Sequence, residues 1–397
     1  MTSFADELAR RLAGLRGQNL FRELRRVDAA PGARLALGGK NLLNFSANDY
    51  LGLANHPALK AAAIAAVEKF GAGAGASRLV CGSLAPFHDL EDALAAFKGT
   101  EAALTFATGH AAAIGAIPAL VGKGDIVIID KLVHACIVDA AKLSGAKLRV
   151  FAHNDLDDLE DKLKWAANAA ANSSLATRHP LIVTESIFSM DGDAAPLREM
   201  VALKEKYGAW LMVDEAHATG VLGKHGGGLA NALGVGDRIE IQMGTLGKAL
   251  GAAGGYICGR RVLIDYLVNR ARSLIFSTAP VPAAAAAATA GIILAQSAEG
   301  DARRANLFAR IGEFKSALRT PHSAIAAAII PIILGDEAVA IAAAATLRAQ
   351  DIFIPAIRYP TVARGAARLR ITLTAAHSAA DVSALAHALE QIVNPIS

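Results

Sequence analysis

The sequence predicts an α/β chain: a large domain built on a mostly parallel, doubly wound sheet, followed by a smaller α+β domain. Three observations predict it. From about residue 100, short β-rich runs alternate with helical patterns, as in DIVIIDKLVHA, KLRVFAHND, LIVTESIFSMDGD, AWLMVDEAHATG and RIEIQMGTLGK, which is the rhythm of strand–helix–strand crossovers. The runs LIV, LMV and IEIQM carry few charges, as strands covered by helices on both faces do. After about residue 290 the composition shifts to alanine-rich helices such as DARRANLFARIGEFKSAL, then to strand-like AIIPIIL and ARLRITLT. The expected division is an N-terminal helix and extension over 1–50, a large domain over 51–290 and an α+β domain over 291–397.

With 397 residues, 53% of them hydrophobic, the chain can bury one large core and a smaller one. Its N-terminus, MTSFADELARRLAGLRG, sets acids and arginines at helical spacing and has no apolar stretch of the secretory kind, so a surface helix is expected. The run 71-GAGAGASRLVCG-82 permits close backbone approach but lacks the lysine of a phosphate-binding loop, and reads as a flexible substrate-side loop. The apolar tracts 283–295 and 324–335 fall short of the roughly 20 residues a membrane span needs, and Pro331 interrupts the second. Both read as core, and no membrane association is expected. Lysine and arginine total 40 against 36 acids, with no basic block, which argues against a nucleic-acid partner. Cys81, Cys136 and Cys258 are far apart and lack metal-ligand spacing, so a reduced cytoplasmic setting and no metal are expected.

Polar residues collect just after each charge-poor run, at the strands' carboxyl ends, where open parallel sheets bind ligands. Ser189, Asp214, His217, Thr245 and Lys248 are therefore candidates for one site. Lys248 lies in 244-GTLGKALGAAGGY-256 among small residues. Alone it reads as a solvated loop lysine, whereas partial burial would lower its pKa and free the amine for Schiff-base chemistry. Asp214 ends its strand three residues before His217. A carboxylate there can keep a pyridinium nitrogen protonated, which pyridoxal phosphate needs in order to accept electrons, although a capping aspartate beside a satisfied histidine has the same spacing. The Thr245 hydroxyl suits a phosphate, and the turn 108-TGH-110 opens a helix whose N–H groups favour an anion. His134 follows a strand and fits either a ring stack or a core position. Arg358 and Arg370 can fork onto a carboxylate, while Arg364 and Arg368 read as surface charge.

The segments 44-NFSANDYLGL-53, 130-DKLVHA-135, 187-IFSMDGDAAPL-197, 212-MVDEAHATGVLG-223, 244-GTLGKALG-251 and 368-RLRITLTAAH-377 resemble the α-oxoamine synthases, pyridoxal-phosphate enzymes of fold type I. The resemblance runs from about residue 20 to the end. It implies that Lys248 forms the internal aldimine, Asp214 pairs with the pyridine nitrogen and His134 stacks on the ring. Ser189 and His217 would hydrogen-bond the cofactor, Thr245 would hold its phosphate, and Gly109 with His110 would line the site. It also implies a homodimer whose sites straddle the interface, bringing Ser277 and Thr278 to the partner's phosphate. On the substrate side it implies Asn48, Arg358, Thr361 and an N-terminal arginine, with Arg22 preferred over Arg25. The implied activity is a decarboxylating condensation of an amino acid with an acyl-CoA. In VDEAHATGVLG, and in IRYPTV followed by RLRITLTAAH, the resemblance is greatest to the members that use L-alanine with pimeloyl-CoA, which it therefore implies; glycine with acetyl-CoA is the nearest alternative, and a non-catalytic partner subunit the alternative of another class. Three positions depart from the pattern: His110 where Phe or Tyr is usual, Ala113 for a frequent Asn, and a threonine at 361 without two common flanking prolines.

Overall fold

The computed structural model describes residues 2–171, 179–318 and 327–393. They form two compact units, one drawn from the described residues of 49–305 with 327, the other from 2–48, 306–318 and 328–393.

The first unit is built on seven strands: β1 (Ala102–Phe106), β2 (Ile126–Asp130), β3 (Lys147–Phe151), β4 (Leu181–Glu185), β5 (Trp210–Asp214), β6 (Ile241–Thr245) and β7 (Gly255–Gly259). Their order is β1-β7-β6-β5-β4-β2-β3. The neighbours from β6 to β3 pair in parallel, and β7 runs antiparallel to both β1 and β6. Five strands coincide with the runs expected from sequence. Two, AALTF and GYICG, do not: the first follows a turn and the second is bracketed by glycines.

Side chains alternate across a strand, and here the alternation sorts residues into two cores. Val127, Ile129, Leu181, Val183, Met212, Ile241 and Met243 belong to one, packed with Ala112, Ile117 and Ile137 of the helices Gly109–Leu120 and Ala135–Ser144. Ile126, Ile128, Ile182, Leu211 and Val213 belong to the other, with Leu159, Leu163 and Met200. Continuing the parity to the strand ends places Glu185, Asp214 and Thr245 on the first face.

The tract 283–295 lies within the helix Pro282–Ala295, whose buried stripe includes Ala285, Ala288 and Ile292. The glycine-rich run 71–82 ends in a single wide turn, Arg78–Gly82, rather than in an unrestrained loop. The Arg78 guanidinium ties it down by pairing with Glu91 and bonding the Ser83 hydroxyl at 3.1 Å.

In the second unit, strand Ile352–Phe353 pairs in parallel with Lys40–Asn44, so the described residues of 1–48, set apart by sequence as an extension, share a unit with the C-terminal ones. A second sheet joins Ile329–Gly335, Ala367–Thr372 and Ala356–Ile357. Pro331 is tolerated because Ile329–Gly335 is an edge strand. Phe4–Gly17 is a helix with no buried residue, started by a Ser3–Asp6 capping box. No described helix is long and apolar enough to cross a membrane.

Candidate active site

Asp214, the last residue of β5, is 5% exposed, and its Oδ1 accepts the Ala216 N–H at 2.9 Å. Burial raises its pKa, while the nearby Lys248 charge opposes that shift. Lys248 lies in the loop between β6 and β7, and its Nζ sits 2.7 Å from His217 Nε2. The other imidazole nitrogen of His217, Nδ1, is 2.5 Å from the Tyr50 hydroxyl. Amine, imidazole and phenol thus form one hydrogen-bonded chain along which a proton can pass.

His134 caps the helix Ala135–Ser144: its Nδ1 accepts the Cys136 N–H at 3.2 Å. That bond fixes the tautomer with its proton on Nε2. Burial lowers its pKa, so the ring is neutral near pH 7 and keeps a flat face. Gly109 and His110 open the helix Gly109–Leu120, with the Thr108 side chain accepting the Ala111 N–H. This turn lies against β7 only because Gly255 has no side chain; a Cβ there would sit 2.5 Å from Gly109 N and Thr108 O. The Thr245 hydroxyl donates to Gly254 O at 2.9 Å and accepts the Gly247 N–H at 3.2 Å.

Seven sequence candidates, Gly109, His110, His134, Asp214, His217, Thr245 and Lys248, line one cavity of about 180 Å³. Cys136, Glu185, Ala216, Met243 and Gly244 complete its wall. Ser189 is close by through its backbone, donating its N–H to Glu185 Oε2 at 3.1 Å. Ser277 and Thr278 are elsewhere, in a small cleft with Arg78 and Ser273. Glu185 and Tyr50 went unread as site residues. Glu185 stands beside Asp214 only through the pairing of the strands, and Tyr50 meets His217 across 167 residues of chain, which no local pattern announces.

In the other unit, Arg370 is 7% exposed and donates to Asn48 Oδ1 at 3.1 Å and to the Thr372 hydroxyl at 3.0 Å. Arg368, expected at the surface, is also buried, because every residue of its strand is. Arg22 and Arg358 line a cavity of about 560 Å³ with Arg16, Arg25 and Arg348. Arg22 Nη2 donates to Tyr359 O at 2.9 Å, and Thr361 N–H to Arg358 O at 3.0 Å.

The loops carrying His134 and Ser189 are riveted by one imidazole. His153 donates from Nδ1 to Asp130 at 3.0 Å and from Nε2 to Asp193 at 2.8 Å, with the edge of its ring against Phe188. Burial alone would lower its pKa, but hydrogen bonds and charge from Asp130 and Asp193 raise it to about 10. Because the folded value exceeds the ordinary 6.5, the stabilisation is complete below 6.5 and lost as pH rises through about 10. His153→Gln is expected to flatten the fall of melting temperature across that window; an unchanged slope would show that another group causes it.

A pyridoxal phosphate fits these residues. There is a buried carboxylate for a ring nitrogen, an amine for the aldehyde, a flat imidazole and a helix N-terminus for the phosphate. The chain matches the family model described as aminotransferase class I and II over residues 40–389. It belongs to that family. It is 48% identical over 394 residues to an 8-amino-7-oxononanoate synthase of Geotalea daltonii, 98% of each chain being covered. Among solved structures it is similar to a serine palmitoyltransferase of Sphingomonas wittichii, with TM-score 0.89, 31% identity and 99% and 97% of the two chains covered. A serine palmitoyltransferase from S. paucimobilis, solved with a bound PLP–myriocin aldimine, gives TM-score 0.88 at 28% identity, with 98% of each chain covered.

Proposed function

We propose that the chain is a pyridoxal-phosphate-dependent 8-amino-7-oxononanoate synthase, condensing L-alanine with pimeloyl-CoA and releasing CoA and CO2. The observation that carries the chemistry is the gathering of Lys248, His217 and Asp214 on one cavity wall at the sheet's carboxyl edge. The choice of substrates rests on near-half identity, over almost the whole chain, to relatives bearing that name.

When bound, pyridoxal phosphate supplies the electron sink that makes the alanine Cα–H acidic and its carboxylate a leaving group. Lys248 would hold the cofactor through its amine, and the freed amine or a neighbouring group would be the base for the alanine Cα proton. His217 accepts or returns the Lys248 proton across 2.7 Å, with Tyr50 relaying on the far side. Asp214 holds a proton on the ring nitrogen. His134, neutral and with its proton on Nε2, offers a face to the ring and a donor to the thioester oxygen as charge develops there. The N–H groups at Gly109 and His110 receive the phosphate, whereas Thr245 must turn its proton away from Gly254 O to join them. Arg358, or Arg370 bonded to Asn48, would be the guanidinium for a substrate carboxylate, with Arg22 and Thr361 as the further substrate-side candidates that the resemblance implies. A new C–C bond would join alanine Cα, after loss of its proton, to the acyl carbon, the thioester sulfur would leave as the thiol of CoA, the alanine carboxylate would leave as CO2, and a proton would return to Cα.

Ser277 and Thr278 lie outside the cavity of their own chain, which supports a homodimer in which they serve the partner's phosphate. The cofactor-loaded protein is expected to release CoA faster from L-alanine with pimeloyl-CoA than from glycine with acetyl-CoA. The opposite preference would keep the cofactor and Lys248 but replace the substrates.

A further inference from the structure

The cavity wall contains a second buried carboxyl that the mechanism does not use. Glu185 ends β4 and pairs in register with Asp214 at the end of the parallel neighbour β5, so both side chains leave the same face of the sheet into the same cavity. Glu185 is 2% exposed. Its Oε2 accepts the Ser189 N–H at 3.1 Å, and its Oε1 is buried with no hydrogen-bond partner. Around it stand Asp214, the Lys248 ammonium, Cys136 and the backbone N–H groups of His134 and Ser189, with His110 and His217 farther along the wall.

Two carboxylates at adjacent register positions in a desolvated pocket cannot both stay ionised cheaply. A protonated ring nitrogen has one N–H to donate, and Asp214 is placed to accept that hydrogen bond as an anion. Glu185 has no ring nitrogen of its own: the His134 and Ser189 N–H groups face its carboxyl, and the buried Oε1 makes no close hydrogen bond, which is costly for an anion but suits a hydroxyl.

We propose that Glu185 works as a neutral carboxylic acid, a positioning residue that holds the Ser189 turn through Oε2 and leaves Asp214 as the single anion beside the cofactor ring. This rests on the pyridoxal-phosphate reading of the site. Burial and the like charge of Asp214 push the Glu185 carboxyl up to about 8. It therefore remains protonated at neutral pH and ionises in mildly alkaline solution, adding a second negative charge to the wall.

The test measures pyridoxal-phosphate affinity of the full chain as a function of pH, by quenching of protein fluorescence, for wild type, Glu185→Gln and Glu185→Ala. Binding by wild type tests the cofactor reading by itself. Glu185→Gln, neutral and nearly isosteric, is expected to match wild type near neutral pH and to lack the alkaline weakening. Glu185→Ala, which strands the Ser189 N–H, is expected to bind about tenfold more weakly. A Glu185→Gln variant that keeps its melting temperature but loses tenfold or more in affinity would show that a charged Glu185 is required, and would overturn the proposal. So would an alkaline limb that persists in it. Difference infrared spectroscopy of the wild type gives a reading independent of any variant: a protonated carboxyl band at neutral pH that vanishes on alkalinisation is expected, and its absence would equally overturn the assignment.

Discussion

Replacing Lys248 with alanine is expected to abolish multiple turnover, by roughly a thousandfold or more, because the amine serves both as the covalent anchor and as the base in this site. The protein should stay folded. Lys248 is only half-buried, its loop is closed by the Gly251 N–H to Lys248 O bond at 2.9 Å, and His217 keeps its bond to Tyr50. The ring carboxylate, the helix N-terminus and His134 are untouched, so noncovalent pyridoxal-phosphate binding should survive in weakened form. The measurement is steady-state CoA release together with cofactor affinity and melting temperature. Retained multiple turnover would move the catalytic amine elsewhere. Loss of cofactor binding and melting temperature together would instead make Lys248 a structural residue.

What sequence revealed of this site follows from where its information is local. In a parallel sheet covered on both faces the strands must be apolar, so the first polar residues after each run mark the sheet edge, and Asp214, His217, Thr245 and Lys248 could be read directly. Glu185 ends its strand as Asp214 does, but a lone strand-end carboxylate has no evident role until the sheet sets it in register beside Asp214. Tyr50 lay within a quoted motif, yet its partner His217 is defined only by the fold. The edge strand β1 and its antiparallel neighbour β7 were invisible because β7 is bracketed by glycines and β1 follows a turn. The pairing of Ile352–Phe353 with residues 43–44 joins chain ends that no periodicity connects. Resemblance supplied the roles of individual residues, which spacing alone left open. It did not supply the Thr245 hydroxyl's present engagement with Gly254 O, which depends on how the loop after β6 closes.

A large effect on stability is expected at a pair that never touches the cavity. Lys98, the last residue of helix Ala85–Lys98, and Glu215, which follows Asp214, form an ion pair with both side chains fully buried. The Lys98 ammonium also donates to Gly227 O at 2.6 Å, and Glu215 Oε1 accepts the Ala230 N–H at 2.9 Å. Lys98→Met would leave an uncompensated carboxylate in the interior, next in sequence to the carboxylate on which the cofactor depends. Breaking one side of such a pair costs about 3–5 kcal/mol, which for a unit of this size lowers the melting temperature by roughly ten degrees. Removing the stranded charge should restore much of the loss, because Glu215→Gln can still accept the Ala230 N–H through its amide oxygen. The double variant Lys98→Met with Glu215→Gln is therefore expected to melt above Lys98→Met alone, and thermal unfolding of the wild type, both single variants and the double measures the coupling. If the two losses simply add, the pair contributes through packing rather than charge. If the double variant recovers stability but not cofactor affinity, the charge at Glu215 also influences Asp214.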